Sequence, residues 1–244
     1  MPWRAADQRG VTPQGRGRFP GYDVLAEVDR WDDVTAGVVL ARLAPTADLS
    51  FFTQAEEATC RALCDQLLHQ DAEPRVPVVA LLDARLAARQ TDGWHYDDMP
   101  SDEQAWRATL AALDDEATRA GESSFALLSE PLQASAIQDV QDLAQRGSAW
   151  RELPAKAVWS LWCRYACAAF YSHPWAWNEI GFGGPAYPRG YKNIGVDARE
   201  RWEVPDHDGT DPVSAAERFE RARRVQDGLV GRPRQVRPAS RPGA

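Results

Sequence analysis

Apolar residues recur at helical spacing from Phe51 onward, whereas the alternation typical of β-strands is scarce. Thr53 followed by Glu56 has the form of a capping box, in which each side chain satisfies a backbone amide at the start of a helix. Behind this box, one helical face carries Cys60, Leu63, Cys64, Leu67 and Leu68. The pattern therefore predicts a mainly α fold.

Four further helices follow. Pro77 opens the first of them, Ser101 caps the second, and Ser129 caps the third. Pro154 begins the last, residues 155–171, which is apolar on nearly every side and is predicted to be central and covered all round. The inward positions of the first three are predicted to include Leu82, Leu86, Trp106, Leu110, Leu113, Leu132, Ile137 and Val140.

Glycine and proline recur through the first twenty residues, which indicates an extended segment, and a further arginine-rich helix is predicted near Pro212. We expect a compact helical bundle with an irregular loop rich in Gly, Pro and aromatic residues, and with extended N- and C-terminal arms. The predicted regions are an extended N-terminal arm (1–50), a helical domain (51–193), a linker with a C-terminal helix (194–230) and a disordered basic tail (231–244).

Charge and hydropathy restrict the kinds of partner. The net charge is -8, yet residues 231–244 contain four arginines and no acid, so the rest of the chain carries -12. Because phosphate contacts need clustered Lys and Arg, an acidic body argues against nucleic acid as a partner. No apolar run is long enough to cross a bilayer, and residues 1–22 lack the apolar region of a secretory signal. A cytoplasmic protein without membrane insertion is expected.

Aromatic side chains are concentrated between residues 150 and 191, which hold eleven of the chain's 23. The densest part is the run FYSHPWAWNEIGFGGPAYPRGYKN, residues 170–193. Proline and glycine interrupt it repeatedly, so the part after the preceding helix is predicted to be non-helical. An irregular segment of about 20 residues inside a compact domain is generally functional.

The residues of this segment argue against several kinds of chemistry. Its glycines do not meet the G-x-G-x-x-G phosphate-binding pattern. His173 and Glu179 alone do not make a metal site, and a general acid–base role for either lacks a nearby nucleophile. Two interpretations remain, a packed aromatic core with a rigid loop and a protein-binding surface. The second is favoured because Trp, Tyr and Arg are the commonest interface anchors.

The four cysteines form two pairs at i,i+4 spacing, Cys60 with Cys64 and Cys163 with Cys167. Two such pairs are compatible with an iron–sulfur cluster or zinc. Both pairs, however, share helix faces with leucine or aromatic residues, and free cysteine commonly behaves as a small buried hydrophobe. Core packing is therefore the favoured interpretation, with redox or inter-subunit bonding as the alternative, and no metal is expected.

The runs FFTQAEEATCRALCDQLL (51–68) and 170–193 together resemble the gluconate 2-dehydrogenase subunit 3 family. The resemblance implies a non-catalytic small subunit that binds a large FAD-containing subunit of the glucose–methanol–choline type and supports its folding. It implies no cofactor in this chain and FAD in the partner. Exported members carry a twin-arginine signal, but no Arg-Arg followed by an apolar region begins this sequence.

The expected function is thus that of an accessory subunit in a sugar, polyol or sugar-acid dehydrogenase. The alternatives are a stand-alone enzyme with a pocket near His173 and Glu179, and a helical scaffold protein without a flavoprotein partner. No catalytic residue is assigned. The predicted partner-binding residues are His173, Trp175, Trp177, Asn178, Glu179, Phe182, Gly183, Gly184, Tyr187, Arg189 and Tyr191.

Overall fold

The computed structural model describes residues 23–43, 48–70, 75–94, 96–188, 190 and 200. All of them belong to one compact unit, Met1–Val204. The predicted C-terminal helix near Pro212 and the basic tail lie outside the described residues.

Helices dominate the described part of the chain, which confirms the prediction of a mainly α fold. None of the helices described is both long enough and apolar enough to span a membrane. Two short strands, β1 (Ala149–Trp150) and β2 (Leu153–Pro154), pair antiparallel, and 3-10 helices cover Val24–Arg30 and Phe125–Leu127. The α-helices are α1 (Asp33–Ala41), α2 (Gln54–Leu68), α3 (Val78–Ala87), α4 (Asp102–Arg119), α5 (Glu130–Gln145), α6 (Ala155–Tyr171) and α7 (Pro174–Ile180).

The predicted helix starts are largely confirmed. Thr53 Oγ1 accepts a hydrogen bond from the Glu56 amide at 3.3 Å, and the Glu56 carboxylate accepts one from the Thr53 amide at 2.8 Å. Ser101 Oγ accepts from the Gln104 amide at 3.4 Å. Ser129 occupies the cap position of α5, but its side chain makes no cap hydrogen bond within the described residues. Ser129 therefore stands at the predicted position before α5, but the predicted capping hydrogen bond of its side chain is wrong.

The main core forms around α6, which packs against α2, α3, α4 and α5. Trp106, Trp162 and Tyr165 are fully buried there. Trp162 Nε1 donates to Thr109 Oγ1 at 3.1 Å, and the Tyr165 hydroxyl donates to the buried Asp102 carboxylate at 2.6 Å. The large aromatic side chains of the core therefore fill space and, in two cases, also satisfy buried polar groups.

Two burial predictions were wrong. Helix α6 is not covered all round, because its neighbours pack against one side and leave Lys156, Cys167 and Tyr171 exposed. Leu132 was predicted to point inward, yet it is 51% exposed on α5. It lies in the first turn of that helix, where the hydrophobic spacing alone does not define the buried side.

The chain before α2 is fixed by a carboxylate of α3. Asp83, which is 3% exposed, accepts hydrogen bonds from the backbone amides of Ser50, Phe51 and Phe52 at 2.7, 2.9 and 2.8 Å. The same carboxylate accepts from Ser50 Oγ at 3.2 Å. Asp83 therefore determines how the chain enters α2 and brings the start of that helix onto α3.

The predicted extended arm over residues 1–50 was wrong for the described part of that region. Residues 24–41 form the first 3-10 helix and α1. Asp23 Oδ1 accepts from the Leu25 amide at 3.2 Å, and Asp32 Oδ1 accepts from the Thr35 amide at 2.7 Å, so each helix has an N-cap. Helices this short are unstable in isolation and depend on packing, which periodicity in the sequence does not reveal.

Candidate functional site: a surface built around Trp177

Helix α7 lies inside the segment that was predicted to be non-helical. Pro174 occupies its first turn, where a missing amide hydrogen costs nothing, and His173 Nδ1 caps it by accepting from the Trp175 amide at 3.2 Å. Gly181 ends the helix in the left-handed conformation with φ 69°. The Pro and Gly that suggested an irregular segment therefore mark the two ends of a short helix.

His173 is buried at 2% exposure. Burial lowers its pKa to about 4, and the positive charge of Arg42 acts in the same direction. The imidazole is thus neutral near pH 7, and one ring nitrogen is engaged as the helix cap. His173 therefore stabilises the start of α7.

We expect this buried histidine to make stability depend on pH. Between pH 6.5 and pH 4 the unfolded chain takes up a proton at His173 while the folded chain does not, so stability falls as the pH is lowered through this window. The loss is roughly 3 kcal/mol, since each unit of difference in pKa between the unfolded and the folded chain is worth about 1.4 kcal/mol. His173→Asn keeps a capping acceptor without the titration, so its urea unfolding curves should lose this part of the pH dependence. His69→Asn, at an exposed position with φ 53°, is the control.

Trp177 is the central residue of this region. Its side chain is 5% exposed and its Nε1 donates to the Tyr171 carbonyl at 2.7 Å. The ring meets Phe182 edge-on, with centroids 5.4 Å apart, and the Arg42 guanidinium lies 5.6 Å from its centroid. It packs in a second hydrophobic cluster, separate from the main core, with Val24, Leu25, Trp31 and Val39.

Asn178 connects α7 to the N-terminal segment, residues 23–43. Its side chain is 1% exposed, and its Oδ1 accepts from the Val24 amide at 2.8 Å. Its Nδ2 donates to Asp23 Oδ1 at 3.4 Å. Arg42 adds a third link by donating to the Ser172 carbonyl at 2.7 Å. The N-terminal segment is therefore attached to α7 by polar contacts as well as by the Trp177 cluster.

Gly184 is buried beneath the same segment. A Cβ built there would lie 2.5 Å from Trp31 Cζ2 and 3.0 Å from Val24 Cγ2, and its φ of +75° is one that side chains rarely adopt. Only glycine fits this position without displacing Trp31. Gly183, its neighbour, is half-buried.

The remaining predicted site residues differ in exposure. Trp175 is half-buried and packs against the main core, while Glu179 is half-buried with an Oε2 atom that has no hydrogen-bond partner within the described residues. Phe182 is 42% and Tyr187 66% exposed. Arg189 and Tyr191 lie outside the described residues.

His173 and Glu179 do not converge on one site. They lie at opposite ends of α7, about 9 Å apart along the helix axis for six residues at 1.5 Å each. A groove of about 790 Å³ lies between α2 and α5, and another of about 310 Å³ lies beside Trp150. Neither is lined by His173 or Glu179. The geometry therefore gives no support to an acid–base pair formed by these two residues.

The cysteines differ in burial. Cys60 and Cys64 are buried, as predicted, whereas Cys163 is half-buried and Cys167 is exposed. A hydrogen bond with Cys64, together with burial, raises the pKa of Cys60, and burial raises the pKa of Cys163 to about 11. Thiols with raised pKa values are weak nucleophiles near neutral pH. Within the described residues, no group of three or more His, Cys, Asp or Glu is placed to hold a metal ion.

Exposed apolar side chains collect around the buried Trp177 cluster. Seven of the eleven large hydrophobic side chains that are exposed within the described residues belong either to α1 or to residues 171–187. We call these seven the α1–α7 surface: Val34, Val38, Leu40, Tyr171, Ile180, Phe182 and Tyr187. Such concentrations typically mark sites of protein association.

Of the seven members of this surface, only Phe182 and Tyr187 are among the partner-binding residues predicted from the sequence. The apolar residues between Val34 and Leu43 are enough to dock somewhere, but that stretch was interpreted as an extended arm or an N-terminal strand and not as a helix. Asp32 is a suitable cap, and Val34 and Val38 in the uncharged run 34–41 stand at i,i+4 spacing, but so short a run does not by itself establish a helix. Tyr171 was assigned to a covered helix, and Ile180 to an irregular segment.

The described part of the chain is a helical fold with exposed apolar side chains concentrated on α1 and on residues 171–187. The family model for gluconate 2-dehydrogenase subunit 3 matches residues 54–184. The chain belongs to this family, and is thus related to a subunit of a multi-subunit gluconate dehydrogenase. No curated protein and no solved structure matches it.

Proposed function

We propose that this chain is a non-catalytic accessory subunit that binds and stabilises the FAD-containing catalytic subunit of a sugar, polyol or sugar-acid dehydrogenase. The observation that carries the proposal is the α1–α7 surface, whose exposed aromatic and aliphatic side chains lie on the segments that pack around the buried Trp177. Membership of a family of dehydrogenase subunits supports the presence of a second chain. The cofactor, FAD, belongs to that second chain.

Docking at this surface is favoured because side chains in it are already held in place before the partner binds. Phe182 rests edge-on against Trp177, which is itself held by its hydrogen bond to the Tyr171 carbonyl. Side chains that are already fixed by packing lose little rotamer freedom when they are buried by a partner. Aromatic residues in addition bury a large area each, so a few of them contribute most of an interface's binding free energy.

Burial distinguishes two proposed roles among the predicted partner-binding residues. Phe182 and Tyr187 are exposed and are proposed to contact the partner directly. His173, Trp177 and Asn178 are buried within this chain and are proposed to hold the docking surface in shape. The cytoplasmic location expected from the sequence stays a prediction, which cell fractionation would test.

Alanine variants of the exposed aromatic residues test the proposal. The chain is co-expressed with a candidate FAD-containing dehydrogenase subunit from the same organism, and affinity is measured on the purified subunits. Phe182→Ala and Tyr187→Ala are each expected to weaken binding by about 2 kcal/mol, roughly thirtyfold. Leu132→Ala is the matched control, because Leu132 is similarly exposed but lies on α5, outside the α1–α7 surface.

The alternative functions make different predictions in the same experiment. A stand-alone enzyme would oxidise substrate, or show a flavin spectrum, when purified alone. A scaffold protein would be recovered without any flavoprotein. Unchanged affinity in both aromatic variants, with normal melting temperatures, would contradict the proposed docking surface.

A further inference from the structure

A carboxylate is held between two arginines just beyond the end of α3. Asp92 lies in the exposed loop that follows this helix, and both of its oxygens accept hydrogen bonds, Oδ1 from Arg85 Nη2 and Oδ2 from Arg164 Nη1. Arg85 belongs to α3 and Arg164 to α6, two helices that pack against each other. Burial alone would raise the pKa of Asp92, but the hydrogen bond from Arg85 and the charges of both arginines hold it below its usual range. The group between the arginines is therefore an ionised carboxylate.

The two guanidinium groups are held in place by aromatic rings as well as by Asp92. The Arg85 guanidinium carbon lies 4.2 Å from the centroid of the buried Tyr165 ring, and that of Arg164 lies 5.3 Å from the same centroid. The Arg164 guanidinium carbon also lies 4.8 Å from the centroid of the Trp94 ring. Guanidinium groups that are already stacked on rings lose little freedom when they bind an anion.

The charges of this cluster match one anion. A second carboxylate, Asp102, lies 3.7 Å from Arg164 Nη2, is 7% exposed and accepts a hydrogen bond from the Tyr165 hydroxyl. Two arginines thus face two carboxylates, and displacement of Asp92 would leave one positive charge unbalanced among these four groups. Arg164 Nε, moreover, is buried without a hydrogen-bond partner among the described residues. The cluster therefore keeps donor capacity that Asp92 does not use.

Asp92 differs from Asp102 in being accessible. All residues of its loop, 88–94, are exposed, and its side chain is 28% exposed. Ion pairs at such a surface contribute little to stability, because water competes for both partners. The side chains of Arg85 and Arg164 are about one fifth exposed, which leaves an opening for a small group.

We propose that Arg85 and Arg164 form a binding site for the carboxylate of a small organic acid, and that Asp92 occupies this site when the acid is absent. The planar guanidinium groups offer several N–H donors in fixed directions, which suits the two oxygens of a carboxylate. Binding of the acid displaces Asp92 and releases the loop from α6. This site does not depend on the docking of a partner chain.

Asp92→Ala vacates the site in the full chain and keeps both arginines. Sodium acetate is the probe, and its binding is followed through the NMR signals of the Arg85 and Arg164 Nε–H groups and of the Trp94 indole. Because Asp92 lowers the apparent affinity by the fraction of chains in which it fills the site, acetate should bind the variant at least about tenfold more tightly than the unsubstituted chain.

Two further variants control for the loss of a charge and for folding. Asp92→Asn removes the charge with little change of shape, and it should also bind acetate more tightly than the unsubstituted chain. Asp142→Ala is the matched control, because it removes the carboxylate from an exposed ion pair with a single arginine, Arg146. This control should gain no affinity for acetate.

Arg164→Gln, introduced into the Asp92→Ala chain, tests whether both arginines are needed. It should abolish the gain in acetate affinity, which would support the site. If neither Asp92 variant binds acetate more tightly than the unsubstituted chain, the ion pairs serve only the fold and the proposal is overturned. The proposal is also overturned if sodium chloride at the same ionic strength shifts the same signals as strongly, because the cluster would then recognise charge and not a carboxylate.

Discussion

Replacement of Trp177 by alanine is expected to release the N-terminal segment from α7. Trp177 joins α7 to Val24, Leu25, Trp31 and Val39, and no other large side chain of α7 belongs to that cluster. Removing a buried tryptophan costs about 4 kcal/mol through lost burial and the cavity left behind. Hydrogen exchange of the amides of residues 24–41 should therefore become fast, while the main core around α6 keeps its protection.

Gly184→Ala tests the attachment of the N-terminal segment to α7 through a second residue. The new Cβ would clash with Trp31, so it should also accelerate exchange in the N-terminal segment. Gly190→Ala is the matched control, because Gly190 has a similar φ of +65° and no described residue lies within 4 Å of the added Cβ, so it isolates backbone strain from the clash. Slow exchange of residues 24–41 in both Trp177→Ala and Gly184→Ala would mean that these contacts do not hold the segment.

Replacement of Asp83 by alanine is expected to destabilise the whole helical core. The change leaves the amides of Ser50, Phe51 and Phe52 without their acceptor in a largely buried position. An unsatisfied buried amide costs about 1–3 kcal/mol, so the total loss is about 4 kcal/mol, after allowing for access of water to Ser50. Chemical unfolding of the purified variant measures this loss as a shift of the transition midpoint.

The ionised state of Asp83 adds a dependence on pH. Burial alone would raise its pKa, but the hydrogen bonds from the Ser50, Phe52 and Phe51 amides outweigh burial and hold the pKa below its usual range. Because the folded-state value is the lower one, the stabilisation is complete above the unfolded pKa of about 3.9 and is lost as pH falls through the folded value.

Asp83→Asn tests the charge separately from the hydrogen bonds. It keeps one acceptor oxygen, so it should be less destabilising than Asp83→Ala at neutral pH. The difference in stability between Asp83→Asn and the unsubstituted chain should narrow in acid. An Asp83→Ala chain as stable as the original would show that the three amides find other acceptors.

The two regions have different consequences for function. Loss of Asp83 affects the core shared with the family match, residues 54–184, and thereby every surface on it. Loss of Trp177 affects the place where the N-terminal segment meets α7 and is expected to deform the α1–α7 surface first. A weak binder with an intact core is therefore the expected phenotype at Trp177, and a poorly folded chain is the expected phenotype at Asp83.

The helices of the core could be predicted because their signals are local. The capping box at Thr53 and Glu56 starts α2, and Ser101 caps α4. The i, i+4, i+7 spacing of Trp106, Leu110 and Leu113 marks a buried side. Such signals act within a few residues of each other, so they need no knowledge of the rest of the chain.

The α1–α7 surface could be predicted only in part. The concentration of aromatic residues identified Phe182 and Tyr187, which are exposed. The same reasoning included His173, Trp177 and Asn178, because composition does not tell a side chain that packs inside from one that faces a partner. The resemblance to the family also does not tell which of these side chains are buried and which are exposed.

The sequence by itself determined that the chain is mainly α, where α2 and α4 begin, and many of the side chains that fill the core around α6. Only the tertiary structure decided that residues 24–41 fold as helices on α7, that Asn178 binds the Val24 backbone, and that α1 turns Val34 and Val38 to solvent. The reason is physical. Short helices gain their stability from contacts between residues more than a hundred positions apart, and those contacts leave no periodic pattern in the sequence.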